Sequence, residues 1–382
     1  MSKRFRIFIS VVLILITLLS FKGFPYAAYD VKNTTVIQGV GIDYDEKEGF
    51  ILTVEIFDAS QSSGVDEVSN GNLTKVITVK GEDISSAMDE LTLKIGKTLI
   101  YSQKRVVVIS KDALSRGVTN VMDFFVRDYK TRASVLVAAT VNCTAADVMS
   151  ANEGNVSFPA RELQELLKSG KINGYTTEVD FATLTELTKD KYTSAYLPVL
   201  DIQHSGKDTF AALSGFLVLS DEKPNGVLSL EEGRGFLFLC DAVSSGTVSI
   251  KNENLGFSSL RIVSNDTRVG VSADAEPHFV VNIDCTMDIM EMKTENDIFI
   301  DEGNAGIIAK NAEEYIEKIT RDTLKKCLDD WNCDIFGFGR RLWILYPSYC
   351  RRTLDTKEKT ITSDLVDVNA HVFIRRVGQG NV

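Results

Sequence analysis

The side chains that carry most enzyme chemistry are few in this chain, and their spacing does not suit it. Three histidines, His204, His278 and His371, fall in separate strand or loop patterns, none with a metal-ligand partner at H-E-x-x-H or similar spacing. They read as unrelated surface or strand residues. Six cysteines, Cys143, Cys240, Cys285, Cys327, Cys333 and Cys350, are scattered without a C-x-x-C pair, so neither a zinc site nor a redox dithiol is patterned. Cys327, Cys333 and Cys350 are close enough in sequence to permit one disulfide, but buried thiols are the expectation in a chain this large. Ile95-Gly96-Lys97-Thr98 resembles the end of a phosphate-binding loop. Leu91 stands where the first glycine is required, however, and the segment closes a helix pattern instead of opening one. Gly39-Val40-Gly41 follows a strand pattern but lacks the third glycine and the helix of a dinucleotide site. No G-x-S-x-G elbow occurs. Asp329, Asp330 and Asp334 read as solvated helix-end acids. No catalytic, cofactor-binding or metal-binding residue is assigned on this basis, and no cofactor is expected.

A chain of 382 residues is too long for one hydrophobic core. Its apolar fraction of 44% and charged fraction of 25% are those of a globular protein. The net charge of −11 argues against nucleic acid as a partner, since neutralising phosphates needs clustered Lys and Arg.

The first 29 residues form a signal or membrane anchor. Lys3, Arg4 and Arg6 precede an apolar run to Phe21 that is interrupted only by Ser10, Thr17 and Ser20. Basic residues before an apolar segment stay cytoplasmic, which places the body of the protein outside the cytoplasm. As a helix, Phe5 to Phe21 spans about 25 Å against a hydrocarbon core of about 30 Å. A clean A-x-A cleavage site is missing.

Residues 30–195 alternate strand and helix patterns. Val36–Ile42 and Phe50–Phe57 read as strands joined at the turn-prone Asp43-Tyr44-Asp45, followed by a polar loop at Gln61–Gly71 and a strand at Leu73–Val79. Asp83 is placed to cap a helix with Ile84, Met88, Leu91 and Ile95 on one face. Val106–Ile109 and Ser134–Thr140 read as buried strands on either side of a helix at Lys111–Val126. Pro159–Lys168 and Phe181–Leu187 read as short helices. Residues 196–300 form a strand-rich middle domain, with Ser259–Val263 and Val269–Ser272 as separate strands and a helix at Leu230–Leu239. Residues 301–382 hold a long amphipathic helix, Ala305–Trp331, a second helix within Ile335–Tyr349 and a closing strand at Val366–Ile374. The expected fold class is α+β: three mixed α/β domains, each a sheet flanked by helices, after the N-terminal segment.

Several segments, in order, resemble the Ger(x)C family. Val36-Ile37-Gln38-Gly39-Val40-Gly41-Ile42-Asp43 is similar to its opening strand. So are Leu99-Ile100-Tyr101 leading into Lys104-Arg105-Val106-Val107-Val108-Ile109-Ser110, and Met122-Asp123-Phe124-Phe125-Val126-Arg127-Asp128. Tyr196-Leu197-Pro198-Val199, Leu213-Ser214-Gly215-Phe216-Leu217-Val218, Asp334-Ile335-Phe336-Gly337-Phe338-Gly339 and Val372–Gly378 continue the series. The resemblance implies a lipoprotein C subunit of a nutrient-germinant receptor on the outer face of the inner spore membrane. It implies A and B membrane subunits as partners, a small-molecule nutrient as the signal of the complex, and no catalytic residues. One departure stands out: the stretch Phe21-Lys22-Gly23-Phe24-Pro25-Tyr26 has no lipobox cysteine, so no lipidation residue is assigned.

Two other function classes remain in view. An extracytoplasmic solute- or polymer-binding protein attached to the membrane needs a cleft lined with aromatics. A cell-envelope hydrolase needs convergent carboxylates or a nucleophile.

Thirteen of the seventeen residues from Phe5 to Phe21 are Phe, Ile, Leu or Val. They favour membrane insertion by about 4–8 kcal/mol before penalties. Arg6 and Lys22 can snorkel to the two interfaces. An uncleaved helix therefore holds this chain more firmly than a single acyl chain would. Mass spectrometry of the membrane-extracted protein is expected to find an intact Met1 or Ser2 start; a mature start at Ala28 or Tyr29 overturns the anchor.

Overall fold

The computed structural model describes residues 34–57, 74–127, 131–151, 158–206, 208–252, 256–273, 276–293, 302–353 and 361–377, together with Arg4, Phe5, Val12 and Ile14. Almost all of the apolar N-terminal segment and the polar loop at 61–71 lie outside these residues. Among the described residues, no helix is long and apolar enough to cross a membrane.

β1 (Thr34–Asp45) is the strand on which the first half is built. β2 (Gly49–Phe57) and β3 (Thr74–Gly81) pair antiparallel on one side of it. The short β4 (Thr98–Ile100) runs parallel to its start. On its other side β5 (Val106–Ser110), β6 (Leu136–Thr140) and β7 (Tyr196–Ser205) all run parallel to it. β8 (Asp208–Ser220) and β9 (Lys223–Leu228) close the nine-stranded sheet antiparallel, in the order β3-β2-β1-β5-β6-β7-β8-β9 with β4 on β1. The parallel strands are covered on both faces, which is why Val106–Ser110 and Leu136–Thr140 are buried throughout and read as unbroken apolar runs.

Helices cover both faces. On one lie α1 (Ile84–Ile95), the short α2 (Lys111–Leu114) and α3 (Val118–Arg127). On the other lie α4 (Ala145–Ser150) and α5 (Pro159–Ile172), while α6 (Phe181–Lys189) returns to the first face and leads into β7. α1 starts at the Asp83–Ser86 capping box and stops at left-handed Gly96, with Ile84, Met88 and Leu91 buried. The single helix expected over Lys111–Val126 is two. Gly117 takes a φ of +99°, and the amide of Val118 donates to the Glu222 carbonyl of the β8–β9 turn. The strand expected to end at Ile42 runs on to Asp45, so Asp43 lies inside the sheet instead of in a turn. α4 is too short to leave a periodicity in the sequence.

Gly39 and Gly41 explain how α4 and α5 reach β1. A Cβ on Gly39 would stand 2.6 Å from the Ala160 Cβ, and one on Gly41 2.9 Å from Met149 Cγ. Two carboxylates on the sheet then receive the helices. Asp43 accepts from the amides of Ala145 and Ala146 at 2.8 and 2.9 Å, at the start of α4. Glu55, fully buried on β2, accepts from the amide of Ala160 at the start of α5, where Phe158 supplies no side-chain cap.

The second sheet has the order β10 (Gly246–Asn252), β11 (Gly256–Ala273), β12 (Pro277–Lys293), β13 (Val366–Val377), the last pair parallel. The two strands expected within 259–272 are one. The polar stretch from Ser264 to Arg268 stays paired with β12 across a bulge instead of turning back. α7 (Leu230–Leu239) and α8 (Glu302–Leu324) cover one face, with Ile308, Ala312, Ile316, Ile319 and Leu324 of α8 buried. α8 also seals the sheet edge: Glu317 and Glu313 accept from the β13 amides of Ala370 and Val372, and Arg321 donates to the Val368 carbonyl. A π-turn, Lys325–Asp330, follows α8. α9 (Phe338–Leu345) and α10 (Pro347–Thr353) replace the one helix expected over 335–349; Gly337, with a φ of +76°, delays its start and Pro347 divides it.

The result is an α+β protein of two sheets flanked by helices. The division read at 195/196 does not separate the sheets. β7 to β9 extend the first sheet, because the α6 crossover returns the chain beside β6, and β10 to β13 make the second.

Burial drives the Glu55 carboxyl up to about 7, against the pull of the Ala160 amide. A carboxyl whose pKa is higher folded than unfolded stabilises the fold most below its ordinary value of 4.5 and loses that contribution as pH rises through about 7. Glu55→Gln, which keeps an acceptor for Ala160, should therefore flatten the stability profile between pH 5 and 7.5. The wild-type slope is at most about 1.4 kcal/mol per pH unit from this group. Thermal unfolding across that range checks it, and parallel profiles for the two proteins contradict it.

Candidate functional site

A broad concavity lies where the last strands of the first sheet meet the helical end of the second. It is an open groove of about 780 Å³, walled by residues from Leu187 to Ala195 ahead of β7, the turn from Leu219 to Glu222, and Leu328, Asn332, Asp334, Gly339 and Ile361.

Each wall is held by a local rule. Edge strand β9 presents Asn225 and Gly226. Asn225 donates to the Trp331 carbonyl and Cys333 Sγ, both at 3.2 Å. The Trp331 indole rests on Gly226, where any Cβ would stand 2.3 Å from the ring. Lys326 sits 5.0 Å above that ring and donates to the Val227 carbonyl and to Glu232, itself part of the Ser229 capping box that starts α7.

Asp334 organises the opposite wall. Its Oδ1 accepts from the amides of Phe336 and Gly337, both at 2.9 Å, and its Oδ2 from the amide of Gly339 at 2.7 Å. Its own carbonyl accepts from the Ser194 amide at 2.7 Å, tying this turn to the entry of β7. Gly339 lies so close to Tyr192 that a Cβ would stand 2.7 Å from the Tyr192 carbonyl oxygen. Tyr192 stacks on Trp343 at 5.2 Å, and Arg340 reaches Glu186 at 2.7 Å and Asp190 at 3.5 Å. Asp334 is thus a latch between the two halves, not the solvated helix-end acid the sequence suggested. Burial pushes its carboxyl up to about 6 while the surrounding amides pull it down. Asp329 and Asp330 are exposed as expected, Asp329 bonding Ser363.

Among the described residues lining the groove, Glu222 accepts from the Thr119 hydroxyl at 2.7 Å. Asp334 already accepts three amides, which leaves it little capacity as a general base. The three histidines are apart: His204 beside Thr209 at the β7–β8 hairpin, His278 paired with Asp367 across β12 and β13, and His371 exposed on β13. The six cysteines are thiols, not disulfides. Burial pushes those of Cys143, Cys240 and Cys285 up to about 12, so they are not thiolates at neutral pH. Among the described residues, no group of His, Cys, Asp and Glu is placed to hold a metal ion. Sequence reasoning missed the Asp334 latch. Its signal was the pair of glycines three and five residues after the aspartate, which let the chain wrap a carboxylate.

Comparison with known proteins adds two family matches, two relatives and one solved structure. Residues 28–202 match the family described as spore germination protein N-terminal domain, and residues 214–378 match that described as spore germination B3/GerAC like, C-terminal. The boundary between the matches falls in the β7–β8 hairpin. Spore germination protein KC of Bacillus subtilis (strain 168) is 23% identical over 92% of this chain and 91% of its own length. Spore germination protein YndF of the same organism is 22% identical over 88% of this chain and 85% of its own. The crystal structure of the GerBC protein superposes with a TM-score of 0.57 at 15% identity, covering 89% of this chain and 97% of that one, a likeness of fold.

Removing the latch carboxylate strands buried amides. Asp334→Ala should cost about 2–4 kcal/mol in urea-unfolding free energy, and Asp334→Asn, which keeps an acceptor for Phe336 and Gly337, clearly less. Equal losses, or none, contradict the latch.

Proposed function

The chain belongs to the Ger(x)C family of spore-germination proteins, and from that premise we propose that it is the C subunit of a nutrient germinant receptor. It acts without turnover chemistry, by holding the receptor together or relaying its state. It works at the outer face of the inner spore membrane, beside the A and B membrane subunits. The observation that carries this reading is the pair of family matches, in order, over both halves of the chain. The basic-then-apolar start supports membrane attachment, and the latch at Asp334 supports relay, because its turn adds a directional hydrogen bond to Ser194 beside the apolar core that the two sheets share.

The groove gives solute binding a specific observation of its own. Its lining, though, has Tyr192 as its one aromatic residue and neither tryptophan, which is poor provision for an apolar or sugar-like ligand. Assembly remains the stronger reading, with a partner interface on the order of 1,200–2,000 Å².

Deleting the protein in its native host should abolish nutrient-triggered germination and leave nutrient-independent triggers intact, and the protein should co-purify with a polytopic membrane subunit. Hydrolysis of peptidoglycan by the purified protein, or a partner-free monodisperse species from native spore membranes, overturns the proposal.

A further inference from the structure

α9 and α10 carry a surface unlike the rest of this acidic chain. From Phe338 to Thr353 there are four arginines, Arg340, Arg341, Arg351 and Arg352, and no acidic residue, whereas the whole chain has 53 acidic residues against 42 basic ones. Ile344 and Leu345 are 66% and 58% exposed on α9. They share a helix face with Arg341, three and four residues before them. Arg351 comes back from α10 to lie 5.7 Å over the ring of Trp343, the residue before Ile344. Two exposed aliphatic residues on one helix face with Arg341, next to a half-buried tryptophan that Arg351 covers, combine the features of a surface that lies on an anionic bilayer.

The sheet topology places this patch at the end where the chain leaves its N-terminal segment. β1, β5, β6 and β7 are parallel, and their pairings bring Tyr196 level with Gly39, so Thr34 extends five residues further toward the end of the sheet at which these strands begin. α9 packs on the residues leading into β7, through Ser194, Tyr192 and Asp190. Three strand spacings, about 14 Å, separate β1 from β7. The chain from Phe21 to Thr34 can span up to about 45 Å, ample for that edge to settle on the surface beside the anchor.

We infer that α9 and α10 form a second membrane contact, in which Ile344 and Leu345 enter the interface of an anionic bilayer while the arginines meet its headgroups. The inference rests on the membrane-attached reading of the chain, and orients the body with the start of its parallel strands toward the bilayer.

The test uses the full-length protein reconstituted on bilayers of phosphatidylcholine alone and on bilayers with about one-third phosphatidylglycerol, read by amide hydrogen exchange. Amides of 338–353 should be protected on the anionic bilayer, on the order of tenfold or more beyond the neutral one. High salt should reduce that protection. Ile344→Ser with Leu345→Ser should abolish it, as should Arg341→Glu with Arg351→Glu, without changing exchange in the strands of either sheet. Retention on both bilayers without the protection overturns the patch and leaves the anchor standing. Retention on the anionic bilayer alone, with the protection, overturns the anchor and supports the patch. Protection that appears only when a membrane protein partner is added, whatever the lipid, makes the surface a protein-docking face and overturns the inference.

Discussion

Carboxylates that accept backbone amides hold the parts of this protein in place. Asp43 and Glu55 reach from β1 and β2 to the first amides of α4 and α5, and Asp334 gathers the turn before α9. Asp43 and Glu55 lie more than a hundred residues from the amides they hold, so each sets a tertiary position, while the Asp334 carboxylate shapes a local turn whose backbone carbonyl reaches Ser194. Bare helix amides carry a partial positive charge, and an oxygen anion is the group that answers it best. The cost is desolvation, which raises all three acids above their usual range. The helices lie over the sheet where these acids are, and the missing side chains at Gly39 and Gly41 let them come close enough to be held.

The halves meet through a core and through polar contacts around it. No strand runs between the two sheets. Phe216, Val218 and Leu228 of the first sheet share one buried apolar cluster with Phe236, Phe279 and Ile316 of the second half, and polar contacts flank it through Asn225, Gly226 and Trp331 and through Ser194, Asp334 and Gly339. Hydrogen bonds and close backbone approaches of this kind are directional, so a change at one wall is felt at the other as a change in geometry.

Local rules were legible in the sequence, and tertiary ones were not. Asp83 as a cap and Leu230–Leu239 as a helix followed from spacing alone, as did the buried stripe of Ile308, Ala312 and Ile316. Gly39-Val40-Gly41 could be excluded as a dinucleotide loop, but its use in seating Ala160 and Met149 depends on residues more than a hundred positions away. Asp334 looked like a helix-end acid because its partners are backbone amides, which have no letter in a sequence. Ser264 to Arg268 looked like a turn, since a strand's polar outer face carries the same residues; only pairing with β12 keeps it extended. The resemblance to a family reached the overall organisation and the biological process, while the groove and its latch came from the coordinates.

The parallel pairing of β13 with β12 fixes the order in which the molecule can be made. Asn282 and Asn369 meet across 87 residues, and the strand that supplies Asn369 is the last described element of the chain. Closing so long a loop is slow, and a chain emerging from its N-terminus cannot begin it until synthesis is nearly finished. The first sheet needs nothing beyond β9 and can be complete by then. In a chain made from its N-terminus, the early half becomes a folded platform while the late half is still arriving. Until β13 arrives, the edge of β12 and the apolar stripe of α8 are exposed surfaces that a chaperone or a waiting partner can occupy.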